Sequence, residues 1–388
     1  MRSAGDDRIA RSTAGRCLLA VICRLFYLTR NPTMFPPLHL GPIELDFPVV
    51  QAALSGYSDW AMRVIARRLG APYTLCEVLL DRFVAEVSKG RRARRYLQVT
   101  DEEHPVGAQL MGANPLEFGP AAVQLVAAGF DVIDINFGCP VKKVLGRCRG
   151  GYLLSQVETA LAIVSSVREA VPHPIPVTVK MRRGLDDTPE SRDKFFQIFD
   201  GAFGRGVAAI TVHGRTVEQK YVGPSRWEFL GEVKRHAGSR VVLGSGDLFT
   251  AQACIDMLRQ TGVDGVTAAR GAIGNPWIFS QARALAAGLP LPEPPSVFEQ
   301  RSVIGEHYRL AEELYGPQHC GRQMRKFGIK YSQLHPHAKA VRDAFVAVAR
   351  PGEWKTVLDA WYAEDLPGCH AGPDGDDLKD CQEPVSAA

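Results

Sequence analysis

The stretch "DVIDINFGCPVKKVLGRCRGGYLL", Asp131 to Leu154, decides how the chain is read. It opens as a short apolar run between acidic residues and passes straight into Asn136-Phe137-Gly138-Cys139-Pro140. Two lysines follow, Lys142 and Lys143, and then a basic, glycine-rich stretch. The first part reads as a buried strand opening into a loop. A cysteine between a glycine and a proline is poor core filler, so a thiol at this point asks for a chemical reason.

Working outward, short apolar runs alternate with helical stretches. Strands are expected at Phe47–Leu54, Tyr73–Glu77, Val106–Leu110, Asp131–Asn136, Pro176–Met181, Ala208–Gly214, Val241–Gly246 and Gly265–Arg270. Helices fall between them. Asn114 can cap the segment to Gly129, with Pro115 at its first position. Phe249 to Gly262 ends in a C-cap glycine. Eight such units predict a (β/α)8 TIM barrel. A doubly wound sheet is the rival, but no GxGxxG follows the first strand, which ends in "AALSGYSD". Polar and glycine residues cluster after the strands, where a barrel keeps its active site.

After Pro292 the segments read as helices without strands, which predicts a small all-helical domain of about four helices. The expected organisation is therefore a flexible extension over 1–33, a barrel over 34–292, a helical domain over 293–365 and a disordered tail over 366–388. The 388 residues hold 46 basic and 42 acidic side chains, a net charge of +4 that does not itself argue for nucleic acid. The basic residues are unevenly spread, with "KGRRARR" at Lys89–Arg95 and "CGRQMRKFGIK" at Cys320–Lys330. Nine cysteines show no zinc-like pairing, so no metal site is expected and a reducing, cytoplasmic setting is the simplest reading. "CLLAVICRLFYLTR", Cys17 to Arg30, is too short and too interrupted by arginine to span a bilayer, and no clean cleavage site follows it. No membrane association and no obligate protein partner are expected.

The strand ends carry the functional signal. Arg270 and Gly271 lie in "AARGAIGNPWIF" after the eighth strand, and Ser245-Gly246-Asp247 after the seventh. Two adjacent glycine-containing loops at these places make a phosphate cradle, although either alone reads as an ordinary tight turn. Gln109, Lys180 and His213 end the third, fifth and sixth strands, and Arg182 follows Lys180. A strand-terminal Lys or His points into the mouth more readily than it sits unpaired in a core. The cradle, a lysine and a hydrogen-bonding glutamine together suggest FMN, with the lysine stabilising negative charge on the reduced ring.

At this point the chain resembles the dihydrouridine synthase family, flavin enzymes that reduce uridine in RNA. The resemblance rests on "DINFGCPVKKV", "VKMRRG", "TVHGRTVEQKYVGPSRW", "GSGDLF", "ARGAIGNPWIF" and "RQMRKFGIKY", and covers roughly Phe47 to Trp361. It implies that Cys139 is the proton donor and that Asn136 helps position the uracil. It implies cofactor contacts from Gln109, Lys180 and His213, from Ala53, and from the loops holding Ser245, Gly246, Asp247, Ala269, Arg270 and Gly271. It assigns Lys142, Arg182, Arg322 and Arg325 to the RNA substrate. The chain departs from the family at Ala53-Leu54, where Pro-Met is usual, at Ser245 for Asn, and at Ala269 for Gly.

The implied reaction is reduction of the uracil C5=C6 bond in tRNA, or another structured RNA, with NADPH as reductant. Hydride goes to C6 and an acid protonates C5 from the other face. A thiol serves as that acid if its pKa stays near its free value of about 8.5. The uridine must be drawn out of its stack to reach the mouth. The basic run at Lys89–Arg95 and a tail patch of Arg322, Arg325, Lys326 and Lys330 would meet phosphates. Two other readings compete: a flavin barrel acting on a free small molecule, which gives the basic tail no role, and a non-catalytic RNA-binding relative, which gives Cys139 none.

Overall fold

The computed structural model describes residues 34–86, 91–350 and 352–372. The expected extension over 1–33, Lys89 and Gly90 of the first basic run, and the tail from 373 lie outside the described residues. A hairpin comes first, β1 (Leu38–Leu40) and β2 (Ile43–Leu45). Eight parallel strands follow: β3 (Val49–Gln51), β4 (Thr74–Leu80), β5 (Val106–Met111), β6 (Val132–Phe137), β7 (Val177–Arg182), β8 (Ala209–His213), β9 (Val241–Ser245) and β10 (Gly265–Ala268). They close in the order β10-β3-β4-β5-β6-β7-β8-β9, so the TIM barrel read from the sequence is the fold.

Most of the strands carry several β-branched residues, β5 being an exception with Val106 alone, and each is followed by helix, which buries the outer face of the barrel. The barrel helices are α1 (Trp60–Arg68), α2 (Asp81–Glu86), α3 (Arg91–Leu97), α4 (Pro115–Ala127), α5 (Lys142–Leu145), α6 (Val157–Ala170), α7 (Pro189–Gly204), α8 (Trp227–Ala237), α9 (Ala251–Thr261) and α10 (Ile278–Ala286). Asn114 caps α4 through a side-chain bond to the Leu116 N–H, and Gly262 ends α9 in the left-handed conformation at φ 68°, as expected.

All eight expected strands form, but the first is shorter than Phe47–Leu54. Its ladder to β10 spans only Val49–Gln51, after which the chain turns, with Tyr57 and Ser58 N–H both bonding the Leu54 carbonyl. The hairpin is absent from the sequence expectation because each of its strands is too short to show a period. It plugs the barrel floor. Leu38, Leu40 and Leu45 pack with Val50, Tyr73, Leu75, Val132, Ala209 and Leu243 as a core distinct from the one under the helices. Because side chains alternate along a strand, this floor layer sets the register above it: Asp134 and Asn136 share the face of Val132.

Beyond α10 the chain forms four further α-helices among the described residues: α11 (Val297–Tyr315), α12 (Cys320–Tyr331), α13 (Ala338–Ala347) and α14 (Glu353–Trp361). Ser296 and Glu299 close a capping box at the start of α11. Phe327, Tyr331, Phe345, Trp354 and Tyr362 fill the bundle core. The bundle seats directly on the barrel. Gly274, after β10, lies so close to α12 that a Cβ there would stand 2.3 Å from the Lys330 carbonyl carbon. Its φ of 69° also suits glycine.

Gly274→Ala adds left-handed strain and a clash with backbone that cannot rotate away. It is expected to cost about 3 kcal/mol of stability, measured by urea unfolding of the full chain. A loss below about 1 kcal/mol would show that the barrel and bundle are less tightly seated than this contact implies.

Candidate active site

The period-two alternation of a strand turns Gln109, Asp134, Asn136, Thr178, Lys180, Arg182, Thr211, His213 and Ser245 toward the barrel axis. A continuous hydrogen-bond chain joins four of them. Asp134 accepts from Thr178 Oγ1 at 2.6 Å and from Gln109 Nε2 at 2.6 Å. Gln109 Oε1 accepts from Asn136 Nδ2 at 2.6 Å. Asn136 Oδ1 accepts the backbone N–H groups of Gly138 at 2.9 Å and Cys139 at 3.0 Å. Backbone N–H can only donate, so Asn136 must present its oxygen to the loop and its amide nitrogen to Gln109. Gln109 must then present its nitrogen to Asp134. Both ends of the chain enforce the same amide orientations.

This chain positions the thiol. The loop carrying Cys139 is also pinned from the far side, where Gly151 N–H donates to the Cys139 carbonyl at 3.1 Å. Gly150 has φ 58°, and a Cβ there would stand 2.8 Å from the Cys139 Cβ, so the loop closes on itself only with glycine at this point. Burial pushes the Cys139 thiol above its ordinary value, opposed in part by the Val141 N–H and by Arg182. The group is therefore held in place as a protonated thiol at neutral pH.

Arg182 was expected to meet substrate. The structure commits its Nε to the Gly138 carbonyl at 2.9 Å, and its Nη1 to the carbonyls of Thr216 at 2.8 Å and Lys220 at 2.6 Å. It therefore ties the cysteine loop to the loop after β8, whose Tyr221 ring lies between Arg182 at 5.3 Å and Arg270 at 4.5 Å.

Lys180 and His213 are half-buried beside this chain. Lys180 Nζ meets Ser245 Oγ at 3.3 Å and has no ion pair among the described residues. Burial lowers its pKa to about 8, with Asp134 opposing and Arg182 adding to the shift. The His213 Nδ1 accepts the Arg215 N–H at 3.2 Å, which places its proton on Nε2. Burial first, and then Arg182, Lys180, Arg215 and Arg270, hold it well below the ordinary histidine value, so it is a neutral donor.

The glycine-containing loops after β9 and β10 lie side by side. A Cβ at Gly271 would stand 2.1 Å from the Leu248 carbonyl oxygen, and one at Gly246 2.3 Å from Ser225 Oγ. Residues Arg270–Ala272 form a single 3-10 turn, whose first N–H groups have no partner within the turn. The Asp247 carboxylate is taken by Arg215 at 2.7 Å and the Ser225 N–H at 2.7 Å, leaving its backbone rather than its side chain for a ligand. Ala53 and Ala269 are half-buried at the same end of the barrel.

Lys142, Arg322 and Arg325 are exposed, on α5 and α12. Lys326 does not join them. It turns inward, donates to the Gly56 carbonyl and lies 5.0 Å from the Tyr57 ring centre. In the other basic run, Arg94 reaches Glu313 at 3.6 Å and Arg95 lies over the Tyr315 ring at 5.4 Å, so both face the bundle. Charge runs do not say which face of a helix is covered. Sequence reading missed Asp134, although an acidic residue at an inward strand position beside Asn136 was a usable signal. It also missed Ser225 and Tyr221, whose partners are remote in sequence.

A parallel barrel with a protonated thiol, a lysine without an ion pair among the described residues and two glycine-containing loops at one end belongs to the class of TIM-barrel enzymes that work at the strand C-termini. The profile of the family described as Dihydrouridine synthase (Dus) matches residues 50–365. A Mycobacterium tuberculosis protein named probable tRNA-dihydrouridine synthase is 34% identical over 333 residues, 84% of each chain. The tRNA-dihydrouridine synthase B of Xanthomonas campestris is 32% identical over 332 residues, 85% of this chain and 96% of its own. This chain belongs to the dihydrouridine synthase family. Among solved structures, histamine dehydrogenase from Rhizobium sp. 4-9 matches at TM-score 0.51 and 17% identity, over 67% of this chain and 49% of its own. Morphinone reductase in complex with tetrahydroNAD matches at TM-score 0.50 and 16% identity, over 68% and 93%. At such identities these two share the fold alone.

Burial of the thiol has a measurable consequence. The alkylation rate of Cys139 by iodoacetamide, followed by peptide mass spectrometry, should reach half-maximum at a pH above the ordinary thiol value of about 8.5. Arg182→Met should move that midpoint higher still, because the guanidinium favours the thiolate. A midpoint at or below the ordinary value would contradict the assignment of an acid.

Proposed function

We propose that the chain reduces the C5=C6 bond of a uridine in tRNA to 5,6-dihydrouridine, with FMN as its cofactor and NADPH as its reductant. One observation carries this reading: the Asp134–Gln109–Asn136 chain ends on the backbone of a loop that holds a protonated thiol beside the mouth. The names of the relatives, tRNA-dihydrouridine synthase, support the substrate and reaction.

The residues present fit a flavin. Lys180 is a half-buried cation with a hydroxyl for company, which an anionic ring edge would complete. His213 Nε2–H and the second hydrogen of Gln109 Nε2 are donors toward the same space. Gly246, Asp247, Arg270 and Gly271 would hold the phosphate by backbone N–H, with Ser245, Ala53 and Ala269 alongside. When bound, the flavin supplies the hydride taken by uracil C6. Asn136 keeps one amide hydrogen for the uracil, and Arg182 braces the loops on either side of it. Cys139 delivers its proton to C5 from the opposite face, and its raised pKa keeps that proton available at neutral pH. Lys142, Arg322 and Arg325 contact RNA phosphates, which makes residues 293–365 an RNA-binding domain. Among the described residues no helix is long and apolar enough to cross a membrane, and the proposed substrate and thiol chemistry suit a cytoplasmic setting.

The test is dihydrouridine formation in unmodified tRNA, read by mass spectrometry of digested RNA in a single turnover. Cys139→Ala should lower the rate by roughly 10²–10⁴, the contribution of a positioned acid, while leaving flavin content unchanged. Cys139→Ser should be nearly as slow. A rate equal to wild type in Cys139→Ala would remove the thiol from the mechanism.

Lys180 gives a pH test that needs no turnover. Its free-state pKa is about 8, and an anionic partner raises it. Flavin affinity should therefore be level below about pH 8 and weaken as the pH rises past it, because binding then requires proton uptake. Lys180→Met should bind more weakly at neutral pH and lose this dependence. Fluorescence titration across pH 6–10 measures both, and an unchanged profile in the variant would assign the proton elsewhere.

A further inference from the structure

Lys326 lies in a helix whose neighbours, Arg322 and Arg325, are exposed, yet its own side chain is drawn into the junction of bundle and barrel. Gly56 is the residue it reaches. The Gly56 carbonyl accepts from Lys326 Nζ, and the Gly56 N–H donates to Glu77 Oε1 at 2.5 Å. The two backbone groups of one residue are thus held by opposite charges, one from β4 and one from α12. Gly56 has φ 76°, so this turn conformation favours glycine and needs outside support.

The surroundings reinforce the same grip. Tyr57 meets Phe327 edge to face at 5.5 Å. Asp59 caps α1 by accepting the Met62 N–H at 3.0 Å, and its other oxygen accepts the Tyr315 hydroxyl at 2.7 Å. His307 lies tilted against Phe327 at 4.5 Å and bonds the Tyr331 hydroxyl at 3.0 Å. Lys326, Phe327 and Tyr315 of the bundle therefore all engage residues 56–59. The charged groups facing Lys326 are Asp59, Glu77 and Arg95. Lys326 and Glu77 are mostly buried, which is unsuitable for a phosphate contact and suitable for a fixed internal one.

The loop held this way follows directly on Ala53, at the end of β3. We propose that Lys326 is a positioning residue for the barrel mouth: with Glu77 it clamps the Gly56 peptide between bundle and barrel and so sets the shape of the loop beside the cofactor. The bundle is then a structural part of the cofactor site as well as an RNA platform. The flavin readout below rests on the proposed function; the exchange readout does not.

The experiment compares full-length wild type with Lys326→Met, Lys326→Arg and, as a surface control, Lys339→Met. Hydrogen exchange without added flavin should show amides of residues 54–58 exchanging about tenfold faster in Lys326→Met, the loss of one charge-assisted bond. FMN affinity, by fluorescence titration, should weaken by a similar factor. Lys326→Arg should restore most of both, Lys339→Met should change neither, and tRNA affinity of flavin-free Lys326→Met should stay within about twofold of wild type. Unchanged exchange over 54–58 would overturn the proposal. So would weakened tRNA binding with FMN affinity intact, the outcome for a phosphate contact. Should Lys326→Met not fold, Tyr315→Phe loosens the same segment through Asp59, and unchanged exchange there would equally overturn it. If wild type binds no flavin, the functional reading fails while exchange still decides the clamp.

Discussion

The Asp134 carboxylate sits at the root of the hydrogen-bond chain that runs through Gln109 and Asn136 to the N–H groups of Gly138 and Cys139. Its members come from β5 and β6, with Thr178 of β7 bracing the carboxylate. None of these strands alone could hold the loop. A buried amide has one good orientation when its neighbours are a carboxylate on one side and backbone donors on the other. Asn136 is thus an internal scaffold besides its proposed role toward substrate, and the thiol inherits its position from a residue buried in the barrel. The floor hairpin underlies this, because it fills the layer beneath Asp134 and keeps β6 in the register that turns Asn136 inward.

Electrostatics at the mouth follow from a shortage of anions. Burial first, and then the surrounding Arg182, Lys180, Arg215 and Arg270, keep His213 neutral. Asp247 is already engaged by Arg215, and Asp134 is turned toward Gln109 and Thr178. The mouth therefore carries net positive potential in a partly desolvated space, which favours an anionic ligand and stabilises charge formed during reduction. The same field acts on Cys139, but burial outweighs it and leaves the thiol protonated.

The helical bundle is tied to the barrel by contacts of different kinds. Arg68 reaches Glu306 at 2.6 Å, Tyr315 reaches Asp59, and Gly274 lets α12 approach at backbone distance. Such mixed polar and close-packed contacts fix an angle between the two parts better than apolar burial alone, because each polar group must find its own partner. Fixing that angle also fixes where exposed Arg322 and Arg325 stand relative to Cys139. For the proposed substrate, reaching a buried mouth with a nucleotide drawn from its stack depends on that spacing.

The barrel was legible in the sequence because eight apolar runs at regular intervals, each followed by helix, have few other ways to bury their faces. Gln109, Asn136, Cys139, Lys180 and His213 were legible for a related reason. A polar residue at a strand's end, in a chain of that pattern, has the mouth as its natural destination. What the sequence could not determine was the use of each charge. Arg182 and Lys326 stand in basic stretches like those of any surface patch, yet one ties two loops together and the other clamps Gly56. Asp134, Arg215 and Ser225 took their roles from partners many residues away. Composition and period report which face of a strand or helix is buried. The partner of a buried polar group is set by distances between elements, and those exist only once the chain has closed into a barrel and the bundle has seated on it.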